Sequence, residues 1–439
     1  MLATFTGGVH PEGKKEYAKD KTIRRAKLPP RVVIPMIQHT GAPCEPVVKV
    51  GDNVKKGEVI GQIEQFITSP VHASISGKVT AIDEFTHPIV GRCKAVVIES
   101  NGRDEFFPSF QEDKDPDKLS KEELLNIIKK SGIVGLGGAA FPTHVKLSPP
   151  REKPVNSVIL NGAECEPYLA CDNRLMAEKP KEILKGLEII VKILGVKDVY
   201  IAIEDNKLSA IHAMRKALRE SKLSESPYRA GIAVLKTKYP QGAEKQIIKS
   251  VLNREVPAGG LPMDVGCIVQ NVGTAFAIYE AVYLGKPLIE RVITIAGSCL
   301  NEPVNIWVNI GTLLSDLINE FGGFAKKPKK IIFGGPMMGF SQYTMEVPII
   351  KGTSGIVFLP DDEIDEAKEG VCIRCGKCLE VCPMELAPTT LMHYVKKDRF
   401  KEAKDLGVAN CYECGACAYE CPAKIPLLDY LKFGKSKVL

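Results

Sequence analysis

The sequence predicts a multidomain α/β protein with a small β module near its start and a helical, cysteine-rich module at its end. Three observations lead there. The chain has 439 residues, too many for one ordinary domain and enough for two to four. Its middle alternates short apolar runs with amphipathic helical patterns. Its last quarter holds eight of the fourteen cysteines, in two regular groups.

Composition bounds the class. Hydrophobic residues at 44% and charged residues at 26% suit a water-soluble globular chain. A net charge of +6 over this length makes no case for nucleic acid. One local excess stands out, where Lys14, Lys15, Lys19, Lys21, Arg24, Arg25, Lys27 and Arg31 outnumber Glu16 and Asp20. It reads as a solvated N-terminal arm over residues 1–30, or as a docking segment for an acidic partner or a membrane surface. The most apolar stretch, Val265 to Gly285, is interrupted by Gln270, Asn271 and Glu280, short of the ~20 residues of a membrane span. MLATFTGGVH lacks the basic start and apolar core of a signal peptide. The expectation is a cytoplasmic protein, peripheral at a membrane only through its partners.

In the middle, SVILNG at 157–162 and DVYIAIE at 198–204 read as buried strands, with helical patterns at 180–194 and 207–221. Residues 292–322 read as strand, turn, strand and helix, and KKIIFGGPMMG at 329–339 as a further strand with a glycine turn. The linker between the cysteine groups is helical, with Leu391, Tyr394 and Val395 on one face and a second segment beginning at Phe400 and Ala403.

The cysteines carry the strongest signal. CIRCGKCLEVCP and CYECGACAYECP are both C-x2-C-x2-C-x3-C-P, offset by 39 residues from Cys372 to Cys411. In a chain of this class they are not a disulfide framework. Zinc ribbons need only two CxxC pairs. The run is that of two [4Fe–4S] clusters, in which the fourth cysteine serves the other cluster. One cluster then takes Cys372, Cys375, Cys378 and Cys421, and the other Cys411, Cys414, Cys417 and Cys382. Two such clusters form a one-electron wire, and something else in the chain must load it. The remaining cysteines, Cys44, Cys93, Cys165, Cys171, Cys267 and Cys299, are expected as small buried hydrophobes.

GLGGAA at 135–140 fits a dinucleotide fingerprint, G-x-G-x-x-A, yet its surroundings do not. A strand should precede it and a helix should follow. Instead, Ser120 and Glu123 make a capping box ahead of an apolar stripe, with Gly132 as the stop, so a helix precedes it. Pro142 then forbids an ordinary helix interior. The loop can still bind phosphate through the amides that Gly135, Gly137, Gly138 and Ala139 free. Lys146 adds charge nearby and Phe141 offers a face to a flat ring. A tight interdomain turn with Phe141 in the core is the alternative.

Here the residues resemble a family. G-x-G-G-A-x-F-P-T-x-x-K is similar to the flavin loop of the NADH-oxidising subunit of respiratory complex I. NGAECEP at 161–167, YPQGAEKQII at 239–248 and QNVGT at 270–274 follow in that family's order. The resemblance implies non-covalent FMN with NADH stacked on it. Asn161, Glu164, Glu166, Tyr239, Gly242, Glu244, Asn271 and Thr274 carry over as cofactor-binding residues beside the glycine loop, Phe141 and Lys146. Phe141, Glu164 and Glu244 lie nearest the reaction. Leu136 stands where that family has Arg, Ala163 and Ala243 where it has acids, and Gly273 where it has Glu, which fits a sister branch.

TFTGGVHPEGKK, the barrel-like segment after it and the double cysteine motif together resemble the C subunits of Rnf complexes over the whole chain. These are membrane-bound ferredoxin–NAD oxidoreductases that move Na⁺ or H⁺. The implied partners are a cluster-bearing B subunit, membrane subunits A, D, E and G, and ferredoxin through the complex. A soluble NADH-dependent flavin/iron–sulfur reductase of the cobalamin reductase kind, and a cluster-only scaffold, are the alternatives.

Residues 46–80 resemble a biotinyl/lipoyl barrel-sandwich, although Glu64-Gln65-Phe66-Ile67-Thr68 holds no lysine for a swinging arm. His72 is expected to pack. Residues 292–322 resemble a soluble-ligand-binding β-grasp domain. The expected divisions are 1–30 for the arm, 31–110 for the barrel-sandwich, 111–288 for the FMN/NADH α/β domain, 289–345 for the β-grasp domain and 346–439 for the helical ferredoxin-like domain.

Overall fold

The computed structural model describes residues 2–107 and 115–439. The boundary expected at 110/111 lies outside the described residues.

Near the start, two antiparallel sheets face each other. Arg31–Pro35, Gly91–Ser100, Gly77–His87 and Asn53–Val54 form one, and Glu45–Pro46, Val59–Gln62 and Val71–His72 form the other. Strand alternation explains why both faces of the first sheet are buried. Val32, Ile34, Val96 and Ile98 point into the barrel core. Their neighbours Val33, Ala95 and Val97 point the other way, onto Leu313. His72 is 2% exposed. Phe66, at the expected arm position, is 78% exposed.

The central module is a parallel four-stranded sheet in the order Arg229–Leu235, Asp198–Glu204, Ser157–Gly162, Cys267–Asn271. Val158 and Leu160 face one core, with the helices Pro180–Leu194, Leu208–Arg219 and Val272–Leu284. Ile159 faces the other, with Ile247 and Ile248 of the helix Glu244–Leu252. The chain steps outward from Ser157–Gly162 for two strands, then returns to its other side with Cys267–Asn271. Chain order reverses between those two strands, and ligands of open α/β sheets bind outside the carboxyl ends at such a point. The helix Val272–Leu284 is buried nearly all round. Its apolar sequence therefore reflects its place in a core, and no helix among the described residues is long and apolar enough to cross a membrane.

The third module is a six-stranded sheet in the order Ile23–Arg25, Val304–Asn309, Glu290–Ala296, Gly355–Leu359, Lys330–Phe333, Phe340–Gln342. Two expectations need correction here. The division at 345/346 falls inside this sheet, because Gly355–Leu359 pairs with both Glu290–Ala296 and Lys330–Phe333. The basic segment is also no solvated arm. Ile23–Arg25 adds a parallel edge strand to Val304–Asn309, Arg25 pairs with the buried Glu290 at 2.7 Å, and Lys21 donates to the Pro303 carbonyl at 2.7 Å. Lys15, Lys21, Arg24, Arg25 and Arg31 answer carboxylates and carbonyls of distant segments, which charge counting along the sequence does not reveal.

The C-terminal module carries its repeat into backbone conformation. Arg374 and Glu413, Gly376 and Gly415, and Glu385 and Lys424 all have positive φ at matching positions. Each glycine opens a four-residue helix, Lys377–Glu380 or Ala416–Tyr419. Pro388–Val395, Phe400–Asp405 and Leu427–Ser436 pack around Leu391, Val395, Ala403 and Leu431.

Candidate functional site

The structure gathers cysteines from both motifs. Cys382 of the first joins Cys411, Cys414 and Cys417 of the second around one cavity, walled also by Pro383, Leu386, Leu428 and Leu431. Cys372, Cys378 and Cys421 meet in an apolar cluster with Ile425 and Leu427, which Cys417 also joins, while Cys375 is exposed. This donor set fits iron–sulfur clusters, four soft sulfurs in an apolar shell. Burial pushes the Cys414 thiol up to about 11, so iron must displace its proton on binding.

The cavity of Cys382 and Cys411 lies against the central sheet. The Tyr239 hydroxyl donates to the Cys414 carbonyl at 2.7 Å, and the Glu244 amide donates to the Tyr412 hydroxyl at 3.0 Å. Gln246 reaches the Pro383 carbonyl at 3.1 Å. Val9, Tyr239, Cys414 and Ala416 form an apolar seam, with Cys165 against it. Burial pushes the Cys165 thiol up to about 12, so it is a neutral packing group that accepts from the Gly242 amide at 3.3 Å.

The switch-point crevice expected of such a sheet lies at the carboxyl ends of the two central strands, where Asn161 and Asn271 stand side by side in register. The glycine loop closes one side of it. As the capping pattern implies, the helix Lys121–Lys130 leads in, with the Ser120–Glu123 box formed and Gly132 at φ 67. At the loop base the Gly135 amide donates to the Phe141 carbonyl at 2.9 Å. The Leu136 peptide is held at both ends, its amide on Thr274 Oγ1 at 2.9 Å and its carbonyl by Arg291 at 3.2 Å. Gly137 has no room for a side chain, since a Cβ would lie 2.9 Å from Asn271 Nδ2. Gly137, Gly138 and Ala139 are exposed, and no hydrogen bond among the described residues takes up their amides. Phe141 is half-buried.

The other sequence-chosen residues converge here, though several are already engaged. Lys146 and Glu244 form an ion pair at 2.5 Å. Asn161 bridges the Gly242 carbonyl and the Ala163 amide. Glu164 receives the amides of Asp172 and Asn173 at 2.8 and 3.2 Å, which caps the helix Cys171–Glu178. Asn271 donates to Asp172 at 2.7 Å. Burial first, then the neighbouring Glu164 charge, pushes the Asp172 carboxyl up to about 7. Glu166 receives the amides of Met337 and Met338 at 3.1 and 2.9 Å, so its carboxylate seats the GGPMMG turn. Burial holds it up at about 7 despite those two donors.

Unpaired donors show what the crevice can take. The amides of Gly137, Gly138 and Ala139 are free of hydrogen bonds among the described residues, and Gln270 keeps a buried Nε2 with no hydrogen-bond partner. Donors with few spare acceptors suit an anionic, hydrogen-bond-accepting cofactor such as FMN.

Sequence reasoning missed three supports. Arg291 is buried and also donates to the Lys351 carbonyl; a charge inside the apolar run LIERVITIA was its signal. Asp172 had none. The Lys15 ammonium sits among the carbonyls of Glu164, Glu166 and Leu169 at 2.8, 3.0 and 2.5 Å, pinning the acidic loop from 149 residues away.

Family models match for the RnfC barrel sandwich hybrid domain at 3–103, the Nuo51 FMN-binding domain at 128–280, the SLBB domain at 292–341 and a 4Fe-4S dicluster domain at 371–425. The C subunit of the proton-translocating ferredoxin:NAD(+) oxidoreductase complex of Clostridium ljungdahlii is 49% identical over 438 residues, covering 100% of this chain and 94% of that one. The Na(+)-translocating counterpart of Acetobacterium woodii is 43% identical, covering 99% and 97%. The C subunit of the ion-translocating oxidoreductase complex of Rhodobacter capsulatus is 39% identical, covering 99% and 83%. Among solved structures, an air-oxidised NAD⁺-reducing [NiFe]-hydrogenase aligns at TM-score 0.52 and 17% identity, over 74% of this chain and 66% of that one, a likeness of fold.

Proposed function

The chain belongs to the C-subunit family of ion-translocating oxidoreductase complexes, and from that premise we propose how its geometry serves electron transfer between ferredoxin and NAD⁺. It is the subunit that exchanges hydride between NAD(H) and FMN and passes single electrons through two [4Fe–4S] clusters to or from partner subunits. The complex couples that transfer to Na⁺ or H⁺ movement. Bound FMN supplies the conversion between two-electron and one-electron chemistry.

The chain's own residues do the placing. The Gly135–Ala139 loop and Lys146 hold phosphate, and Phe141 gives the nicotinamide side a wall. Glu244 and Glu164 accept from ribose or amide groups. Glu166 acts from behind by seating the Met337–Met338 turn. One observation carries the reading: the crevice and the Cys382–Cys411–Cys414–Cys417 cavity share a wall made of Tyr239 and the start of the helix at Glu244. This quartet is therefore the inner cluster site. The Cys372 quartet, with Cys375 exposed and Val371 and Ile373 at 87% and 69% exposure, is the outer one, where a cluster-bearing partner takes or gives electrons. The reading includes docking on the cytoplasmic face of the membrane, beside the complex's integral subunits.

The test is anaerobic. The iron-reconstituted chain should retain about one FMN and about eight irons, and NADH should bleach the flavin before reduced-cluster EPR signals grow. Clusters without flavin, and no response to NADH, would sink the proposal.

A further inference from the structure

The barrel-sandwich carries no lysine at its expected arm position, which leaves its presence unexplained. Its loop from Gln38 to Cys44 lies against the glycine loop of the crevice. Thr40 contacts two successive peptide groups there. Its hydroxyl donates to the Ala139 carbonyl at 2.5 Å, and its amide donates to the Ala140 carbonyl at 3.4 Å. In a trans peptide the C=O and the following N–H point in opposite directions. Two carbonyls drawn toward Thr40 therefore turn the amides of Ala140 and Phe141 away from the barrel. No hydrogen bond among the described residues uses either amide. Ala140 holds φ 50, a left-handed conformation that costs an alanine free energy and needs outside contacts to keep it.

Thr40 is itself well held. The preceding His39 accepts the Ser69 amide at 3.0 Å. Gly41 sits at φ 126, and a side chain there would strike the Ile67 carbonyl. Gln38 accepts the Lys351 amide at 2.9 Å, and Lys351 in turn donates to the carbonyls of Pro70 and Gly132 at 2.8 and 2.7 Å. The barrel loop and the root of the glycine loop are thus locked to one frame.

We propose that Thr40 is a positioning residue of the flavin site, and that the barrel-sandwich serves as that site's second wall, aiming the Ala140 and Phe141 amides at the bound cofactor. This rests on the flavin reading above. The test uses the full-length, iron-reconstituted chain stripped of flavin, with FMN as the probe and its fluorescence quenching as the readout. Thr40→Val keeps the shape and removes the hydroxyl. It should weaken FMN binding about three- to tenfold, as loss of one hydrogen bond does, with iron content unchanged, and Thr40→Ser should restore affinity to within about twofold. Equal FMN affinity for wild type and Thr40→Val would overturn the proposal, as would a weakening that Thr40→Ser fails to rescue. If Thr40→Val loses its iron or its fold, the comparison moves to Thr40→Ala against Thr40→Ser, and the same two results decide it. A wild-type chain that binds no FMN is a separate result, and it overturns the flavin site itself.

Discussion

The two redox regions of this molecule are built in opposite ways. The cluster module takes its eight sulfur donors from two motifs of 11 residues each, C-x2-C-x2-C-x3-C, and each motif repeats the other's backbone turns. The crevice at the sheet switch draws on segments near residues 15, 137, 164, 242, 271 and 291, and many of its side chains already hold one another. A cluster site needs donors of one kind at short spacing, so it can be local. A flavin site needs backbone amides aimed from a rigid frame, and rigidity comes from long-range contacts.

The sharpest way to break this contrast is Cys382→Ala. Although Cys382 lies in the first motif, its loss should remove the cluster of the second. Iron should fall from about eight to about four per chain, and the EPR signal that survives should be that of the Cys372 quartet. NADH oxidation with a soluble acceptor should persist. Loss of the Cys372 cluster instead would overturn the crossed assignment.

Next in size are Lys146→Ala and Glu244→Ala. Each should lower NADH oxidation about ten- to hundredfold, the range for hydrogen bonds to charged groups. Because the two side chains touch, the double variant should cost less than the product of the singles. Undiminished oxidation in either single variant would remove that residue from the site.

A smaller effect follows from Glu166. Its carboxyl is held up at about 7, against an ordinary 4.5. Folding therefore takes up a proton across that window, and stability is greatest below it and falls as pH rises through it. The contribution is at most about 3 kcal/mol. Wild type should lose more thermal stability between pH 5 and pH 7.5 than Glu166→Gln does; parallel curves would show that Glu166 does not titrate there. Smallest is Tyr239→Phe, which removes the donor to the Cys414 carbonyl. It should cost about 1 kcal/mol and slow single-turnover cluster reduction by less than about fivefold.

Much of the frame was legible in the sequence. The strands Ser157–Gly162 and Asp198–Glu204 and the helix Pro180–Leu194 lie at the expected places, because apolar periodicity reports on a buried face directly. The approach of Cys382 to Cys411, Cys414 and Cys417 agrees with the crossed rule of the double ferredoxin signature. What stayed hidden depends on partners far along the chain. Charge counting cannot show that Lys15 reaches three carbonyls, that Arg25 pairs with Glu290, or that Gly355–Leu359 completes a sheet begun by Glu290–Ala296. Motif matching placed Glu164 and Glu166 at the flavin, yet it did not show that both carboxylates receive backbone amides of their own chain.

The strap formed by residues 8–25 has a consequence for biosynthesis. The Gly8 amide donates to the Val381 carbonyl, and Ile23–Arg25 waits for Val304–Asn309 before it has a partner strand. On the ribosome, this segment is made before Val304–Asn309 and Val381, and it cannot settle until both have emerged. Contacts of such high sequence separation slow folding, and they leave residues 8–25 without these partners while the intervening segments are translated. Residues 8–25 therefore close over the molecule only once the module bearing Val381 and the strand Val304–Asn309 are in place.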